Sequence, residues 1–127
     1  MNVSLLDITA HQLHDSSGIV NEEILEDHIS LGIKNQLLSV QWLANRMEMS
    51  ERHLLRLFKK HHKVTCHKYL QDVKLNAAKK LLIMKSSLSI KKISAMLLFS
   101  DTKYFSKLFK QRFGLNPSDF RSKNISN

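Results

Sequence analysis

The sequence predicts an all-α protein built around two helix-turn-helix units, and three observations carry that prediction. The 127 residues include only three Gly and one Pro, with few hairpin dipeptides and many Leu and Lys, a balance that favours helix over strand. Apolar residues recur at i, i+3, i+4 and i+7 through most of the chain, the spacing of an amphipathic helix. One pattern is also written twice. SERHLLRLFKKHH from Ser50 returns as DTKYFSKLFKQRF from Asp101. Each copy opens on a capping residue followed by large apolar residues: Leu54, Leu57 and Phe58, then Phe105, Leu108 and Phe109.

Taken in order, residues 1–20 show no sustained period and contain DSSG at Asp15–Gly18, the mark of a loop, so they are expected to form an N-terminal tail. Asn21 then caps a helix with acids in its first turn, where they favour the positive end of the dipole. Its apolar side is expected to be Ile24, Leu25, His28, Leu31 and Gly32. Ser39 caps a two-turn helix with Val40, Leu43, Ala44 and Met47 on one face, and the turn Glu48–Met49 leads to the cap Ser50 and the first repeated helix. That sequence form is a helix-turn-helix unit. Residues 67–84 contain no breaker and predict a long linker helix with Tyr69, Val73, Ala77 and Leu81 on a face. Ser89 caps a second two-turn helix with Ile90, Ile93, Ser94 and Leu97 in the same spacing, and Asp101 caps the second repeated helix. Gly114 is its expected left-handed stop, and Pro117 opens the last piece. About seven helices result, in a first subdomain over 21–66, a linker over 67–84 and a second subdomain over 85–127.

Charge separates the two ends. Residues 1–50 carry two basic side chains against seven acids, a balance of −5, whereas residues 51–127 carry 18 against four, or +14. The repeat therefore lies on the basic part, and a polyanion is the expected partner, nucleic acid before an anionic membrane surface. A solvated Lys-rich surface is the plainer reading of charge alone. The single Cys66 excludes an internal disulfide and fits a reducing compartment. No apolar run reaches the roughly 18–20 residues a membrane span needs, and the N-terminus lacks the basic region of a secretion signal.

On each repeated helix the side opposite the apolar face is a stripe. It reads Arg52, Leu55, Arg56 and Lys59 in the first copy and Lys103, Ser106, Lys107 and Lys110 in the second. A helix entering a DNA major groove needs positive charge for phosphates and donors for base edges, and Arg to guanine is the commonest specific contact. Solvated faces of two amphipathic helices are the alternative, weakened because each stripe follows a capped two-turn helix.

The stretches VQWLANRMEMSERHLLRLFKK, YLQDVKLNAAKKLL and SIKKISAMLLFSDTKYFSKLFKQRFGLNPSDFR together resemble the AraC/XylS family of transcriptional regulators. The last looks like the family's signature segment, with Ile93, Phe99, Tyr104, Phe105, Phe109, Lys110, Phe113, Gly114, Pro117, Phe120 and Arg121 in the expected places. The resemblance implies a sequence-specific regulator of double-stranded DNA, an activator, with base-reading positions at Arg52, Leu55 and Arg56 and at Thr102, Lys103, Ser106 and Lys107. It places Ser39, Lys59, Lys60, Ser89 and Lys110 on phosphates. Both recognition helices would enter successive major grooves about one turn, or ~34 Å, apart, and a rigid linker would then require the DNA to bend. RNA polymerase is the implied protein partner, and the acidic first helix (Glu22, Glu23, Glu26, Asp27) is one candidate surface for it, a solvated face being the other reading. The chain would be either a stand-alone regulator, monomeric on DNA and cytoplasmic, or the DNA-binding part of a longer protein. Departures are informative: the family usually has glycine where this chain has Glu48, Lys63 and Leu98. A left-handed Leu98 would cost roughly 1–2 kcal/mol. Leu55 has no hydrogen bond to give and could only touch a thymine methyl or fill space. The first unit is expected to carry more of the specificity and the second more of the phosphate affinity.

Other chemistry is set aside. His11 and His14, and the adjacent His61 and His62, lack the further ligands of a tetrahedral metal site. A redox-sensing or alkyl-accepting Cys66 lacks a basic partner pattern. No phosphate loop or acid pair suggests an enzyme, a metal or a cofactor. The competing class is a protein-interaction module or antagonist of a related regulator that keeps the fold with weak DNA reading; a third is a non-specific nucleic-acid coat.

Overall fold

A computed structural model describes residues 22–125. Residues 1–20, the capping position 21 and the pair His11 and His14 lie outside the described residues. Within them are seven helices: α1 (Glu22–Lys34), α2 (Val40–Arg46), α3 (Glu51–His61), α4 (Cys66–Met84), α5 (Ile90–Met96), α6 (Thr102–Phe113) and α7 (Pro117–Ile125). All described secondary structure is helical, as the sequence predicts. The chain divides into two compact units, one ending at Leu70 and the other starting at Gln71, so the division falls inside α4.

Side-chain caps start six of the helices. The side chains of Ser39, Ser50, Thr65, Ser89, Asp101 and Asn116 each accept a hydrogen bond from the amide three residues on, at 2.7–3.1 Å. Each satisfies one amide that the first helical turn leaves without a partner. Pro117 follows the Asn116 cap, where its missing N–H costs nothing.

The ends of α1, α2 and α5 share one geometry. Leu37 N–H donates to Gly32 O and Gln36 N–H to Ile33 O; Met49 and Glu48 do the same to Ala44 and Asn45, and Phe99 and Leu98 to Ser94 and Ala95. These are Schellman caps, which place the intervening residue in the left-handed region. That residue is Gln36 (φ 60), Glu48 (φ 59) and Leu98 (φ 61), none of them glycine. The strain expected at Leu98 is therefore present, and Glu48 and Gln36 share it. Lys63, the third position where glycine is usual, is not left-handed. At the end of α6 the left-handed residue is Gly114, at φ 86.

In the first unit Leu25, Ile29, Leu38, Leu43, Met47, Leu54 and Phe58 form the buried core. Gly32 permits a close approach: a Cβ there would lie 2.8 Å from the Trp42 ring and 3.1 Å from Leu38. Leu31 is a correction, being 38% exposed while Ile29 is buried. The buried face of α1 comprises Ile24, Leu25, His28, Ile29 and Gly32, and Leu31 lies at its edge, about 20° beyond Ile24 and two turns further along the helix. His28 is buried, and Arg46 Nε donates to its Nδ1 at 3.4 Å. Burial first, then the Arg46 charge, hold its pKa below the usual value, against a smaller upward pull from Asp27.

In the second unit Leu75, Ala78, Leu82, Ile93, Leu97, Phe105 and Phe109 are buried. Phe109 sits among Phe105, Phe113 and Phe120, with ring centroids 4.7–5.9 Å apart. Leu108 is only half-buried, because two phenylalanines already fill the inner face of α6. Arg121 Nε donates to Leu82 O at 2.8 Å and its Nη2 to Lys85 O at 3.3 Å, which ties α7 to the carboxyl end of α4. The face expected for α4 also needs correction. Tyr69, Val73, Ala77 and Leu81 are half-buried; the buried residues are Cys66 and Leu70 early, then Leu75, Ala78 and Leu82. The buried set moves around the helix from one unit to the next, so no single stripe runs its length.

Candidate nucleic-acid interface

Each unit presents its repeated helix in the same way. On α3, Leu54, Leu57 and Phe58 are buried while Arg52, Arg56, Lys59 and Lys60 are exposed, with Leu55 half-buried between them. On α6, Phe105 and Phe109 are buried, Lys103, Lys107 and Lys110 are exposed, and Ser106 is half-buried. Position by position, 52, 55, 56 and 59 match 103, 106, 107 and 110 in exposure. Thr102, at the first position of α6, is half-buried. Both stripes are thus continuous outward surfaces, capable of meeting phosphates and base edges at once.

The preceding helices set these stripes. Four residues separate α2 from α3 and five separate α5 from α6, and the same left-handed cap turns the chain in both. The extra residue before α6 makes Asp101 its cap, whereas Ser50 caps α3. Ser39 is half-buried and Ser89 exposed. Each hydroxyl oxygen accepts from a helix amide, which leaves its proton free for a phosphate oxygen. Lys91 and Lys92 were not singled out from the sequence, yet both are exposed in the first turn of α5. Cations there oppose the helix dipole by about 0.3–1 kcal/mol each. That unfavourable placement beside Ser89 is the signal that marks them as further phosphate candidates.

Other charges are occupied inside their own units. Lys79 Nζ lies 4.6 Å from the Phe113 ring centre, and Arg112 Nε is 3.6 Å from Asp72. Lys74 is half-buried over Phe99, and burial lowers its pKa. At the carboxyl end of α3, His62 stacks on Phe58 with centroids 4.3 Å apart, and its Nε2 lies 2.8 Å from Glu22 Oε2, outside hydrogen-bond geometry. Trp42 packs against Gly32 and lies 5.7 Å from the Arg46 guanidinium. Burial pushes the Cys66 thiol up to about 11, which keeps it protonated at neutral pH. Among the described residues no three His, Cys, Asp or Glu side chains gather as metal ligands.

A family profile described as a helix-turn-helix domain matches residues 43–123. The uncharacterized HTH-type transcriptional regulator YfiF of Bacillus subtilis is 34% identical over 113 residues, 87% of this chain and 33% of its own. The probable transcription factor PqrA of Proteus vulgaris is 32% identical over 88 residues, 69% of this chain and 71% of its own. The chain thus spans about a third of the length of YfiF and most of PqrA. A crystal structure of an AraC-type transcriptional regulator from Chromobacterium violaceum superposes with a TM-score of 0.64 at 31% identity, covering 80% of this chain and 91% of that one.

Proposed function

The chain belongs to the AraC/XylS family of transcriptional regulators, and from that premise we propose that it reads specific double-stranded DNA through α3 and α6 and activates transcription. The observation that carries the proposal is the paired exposure of the two basic stripes on capped helices that each follow a two-turn helix. Arg52, Leu55 and Arg56, with Thr102, Lys103, Ser106 and Lys107, are the proposed base readers. Ser39, Lys59, Lys60, Ser89 and Lys110 are the proposed phosphate contacts. The two helices would occupy successive major grooves, with RNA polymerase as the protein partner and no cofactor. The protein would act in the cytoplasm at the nucleoid and, if it stands alone, as a monomer on its site.

Selection from random duplex DNA at physiological salt tests this. The expected winner is a site with two elements about one helical turn apart, and Arg56→Ala should cost about 1–3 kcal/mol while relaxing one element. Salt-sensitive binding with no enriched sequence would instead make the stripes a phosphate-holding surface and overturn the regulator reading.

A further inference from the structure

Within α3 one side chain does not fit a purely polar reader. Leu55 is half-buried and shares a face with the exposed Arg52, Arg56 and Lys59, whereas the helix supplies its core from Leu54, Leu57 and Phe58. Part of its side chain is covered within the unit and part is left at the surface of the stripe. Its branched apolar surface lies among guanidinium and ammonium groups, where it can neither donate nor accept a hydrogen bond. The matching position of α6 is the polar Ser106, so an apolar residue is not imposed by the fold at this place.

On the floor of the major groove one base feature is apolar, the C5-methyl group of thymine. Arg52 and Arg56, three residues before and one after Leu55, share that stripe, and arginine pairs with the O6 and N7 of guanine. Neighbouring positions on one helix face meet neighbouring bases. We infer that Leu55 is a specificity residue that reads a pyrimidine C5-methyl group, so that α3 selects a thymine beside the guanine held by Arg56. This rests on the proposed DNA reading and adds the chemical identity of one base to it. Because the contact senses the methyl group alone, a 5-methylcytosine at that position is preferred over cytosine by the same factor.

The test changes the DNA and leaves the protein intact. Arg56→Ala first locates the element of the selected site that α3 reads. Each thymine of that element is then replaced in turn by deoxyuridine, which lacks only the methyl group. Wild-type protein is expected to lose about fourfold in affinity at one position, the factor that corresponds to burying one methyl group. Leu55→Ala should bind the thymine and uracil forms equally, and Leu55→Met, which keeps apolar reach, should retain part of the difference. At the same position 5-methylcytosine should bind wild type more tightly than cytosine. A wild type indifferent to every uracil overturns the inference and leaves sequence-specific binding intact. So does a uracil penalty that persists in Leu55→Ala, since another residue would then sense the methyl. A selection that enriches no site brings down the regulator reading, and this inference with it.

Discussion

Two residues test how local strain and burial set stability. Leu98 is left-handed and 47% exposed, so replacing it with glycine removes little buried surface. Relief of the left-handed penalty is worth roughly 1–2 kcal/mol, offset by about 0.5–1 kcal/mol for the freedom glycine adds to the unfolded chain. Leu98→Gly should therefore stabilise the second unit by about 0.5–1 kcal/mol in urea melting. A loss of stability would mean that the Leu98 side chain contributes more than its exposure suggests. His28 is the opposite case, a native group held neutral. Its folded pKa lies below its unfolded value, near 6.5, so the unfolded chain takes up the proton first. The stability is present above that pH and declines as pH falls through it toward the folded pKa. Trp42, the single tryptophan, belongs to the same unit and can report its unfolding by fluorescence. The first unit should weaken on acidification from pH 7.5 to 5.5, and His28→Gln should flatten that slope. An unchanged slope would assign the pH dependence to other groups.

Among the elements, α2 and α3 were legible in the sequence, α1 was legible except for the exchange of Leu31 for Ile29, and α4, which serves two units, was not. α2 and α3 show their apolar faces directly, because every buried side chain points to one core. α4 contributes to two units, so its buried set shifts between Leu70 and Leu75 and no 3.6-residue stripe fits it. The candidate interface was readable as charge at helical spacing, with the exception of Lys91 and Lys92, which lie before the recognition helix. The left-handed caps were only partly readable. A glycine would have announced them, but Gln36 carries no such signal, and Glu48 and Leu98 were marked only as departures from the family pattern. Arg121 was visible as a signature residue, but its role depends on backbone carbonyls 39 and 36 residues earlier. There it donates to Leu82 O in the last turn of α4 and shares Lys85 O with the Leu88 amide, and its charge complements the negative end of the dipole. Arg121→Ala should destabilise the second unit by about 1.5–3 kcal/mol, the range for hydrogen bonds to a charged group. Arg121→Lys should recover only part, since an ammonium cannot reproduce the fork that serves two carbonyls. Full recovery by lysine would reduce the role to charge.

At the scale of the whole molecule, charge is unequally divided. Residues 22–70 hold eight basic side chains against six acids, while residues 71–125 hold twelve against three, net charges of +2 and +9. Four of those twelve, Lys74, Lys79, Arg112 and Arg121, are engaged with rings, Asp72 or backbone carbonyls. Lys80, Lys85, Lys91, Lys92, Lys103, Lys107, Lys110 and Lys123 remain, all exposed. At the proposed base-reading positions α3 offers arginines, at 52 and 56, whose planar forks suit bases, whereas α6 offers lysines, at 103 and 107, point charges better suited to phosphate. This predicts that affinity and specificity separate between the units. Each phosphate contact removed lowers the slope of log affinity against log salt by about 0.9. Lys103 and Lys107 stand at proposed base-reading positions yet, as point charges, would add mainly phosphate attraction. Replacing them and Lys110 together by Gln should therefore lower that slope by up to roughly 3 and weaken the selected duplex only a little more than random duplex. Arg56→Ala should instead reduce preference for the selected site while leaving most affinity for random DNA in place. Titration of both variants on both duplexes across a salt series distinguishes the roles, because a phosphate contact is common to every sequence and a base contact is not. Equal losses of preference from the lysine and arginine replacements would sink this division and make α6 as much a base reader as α3.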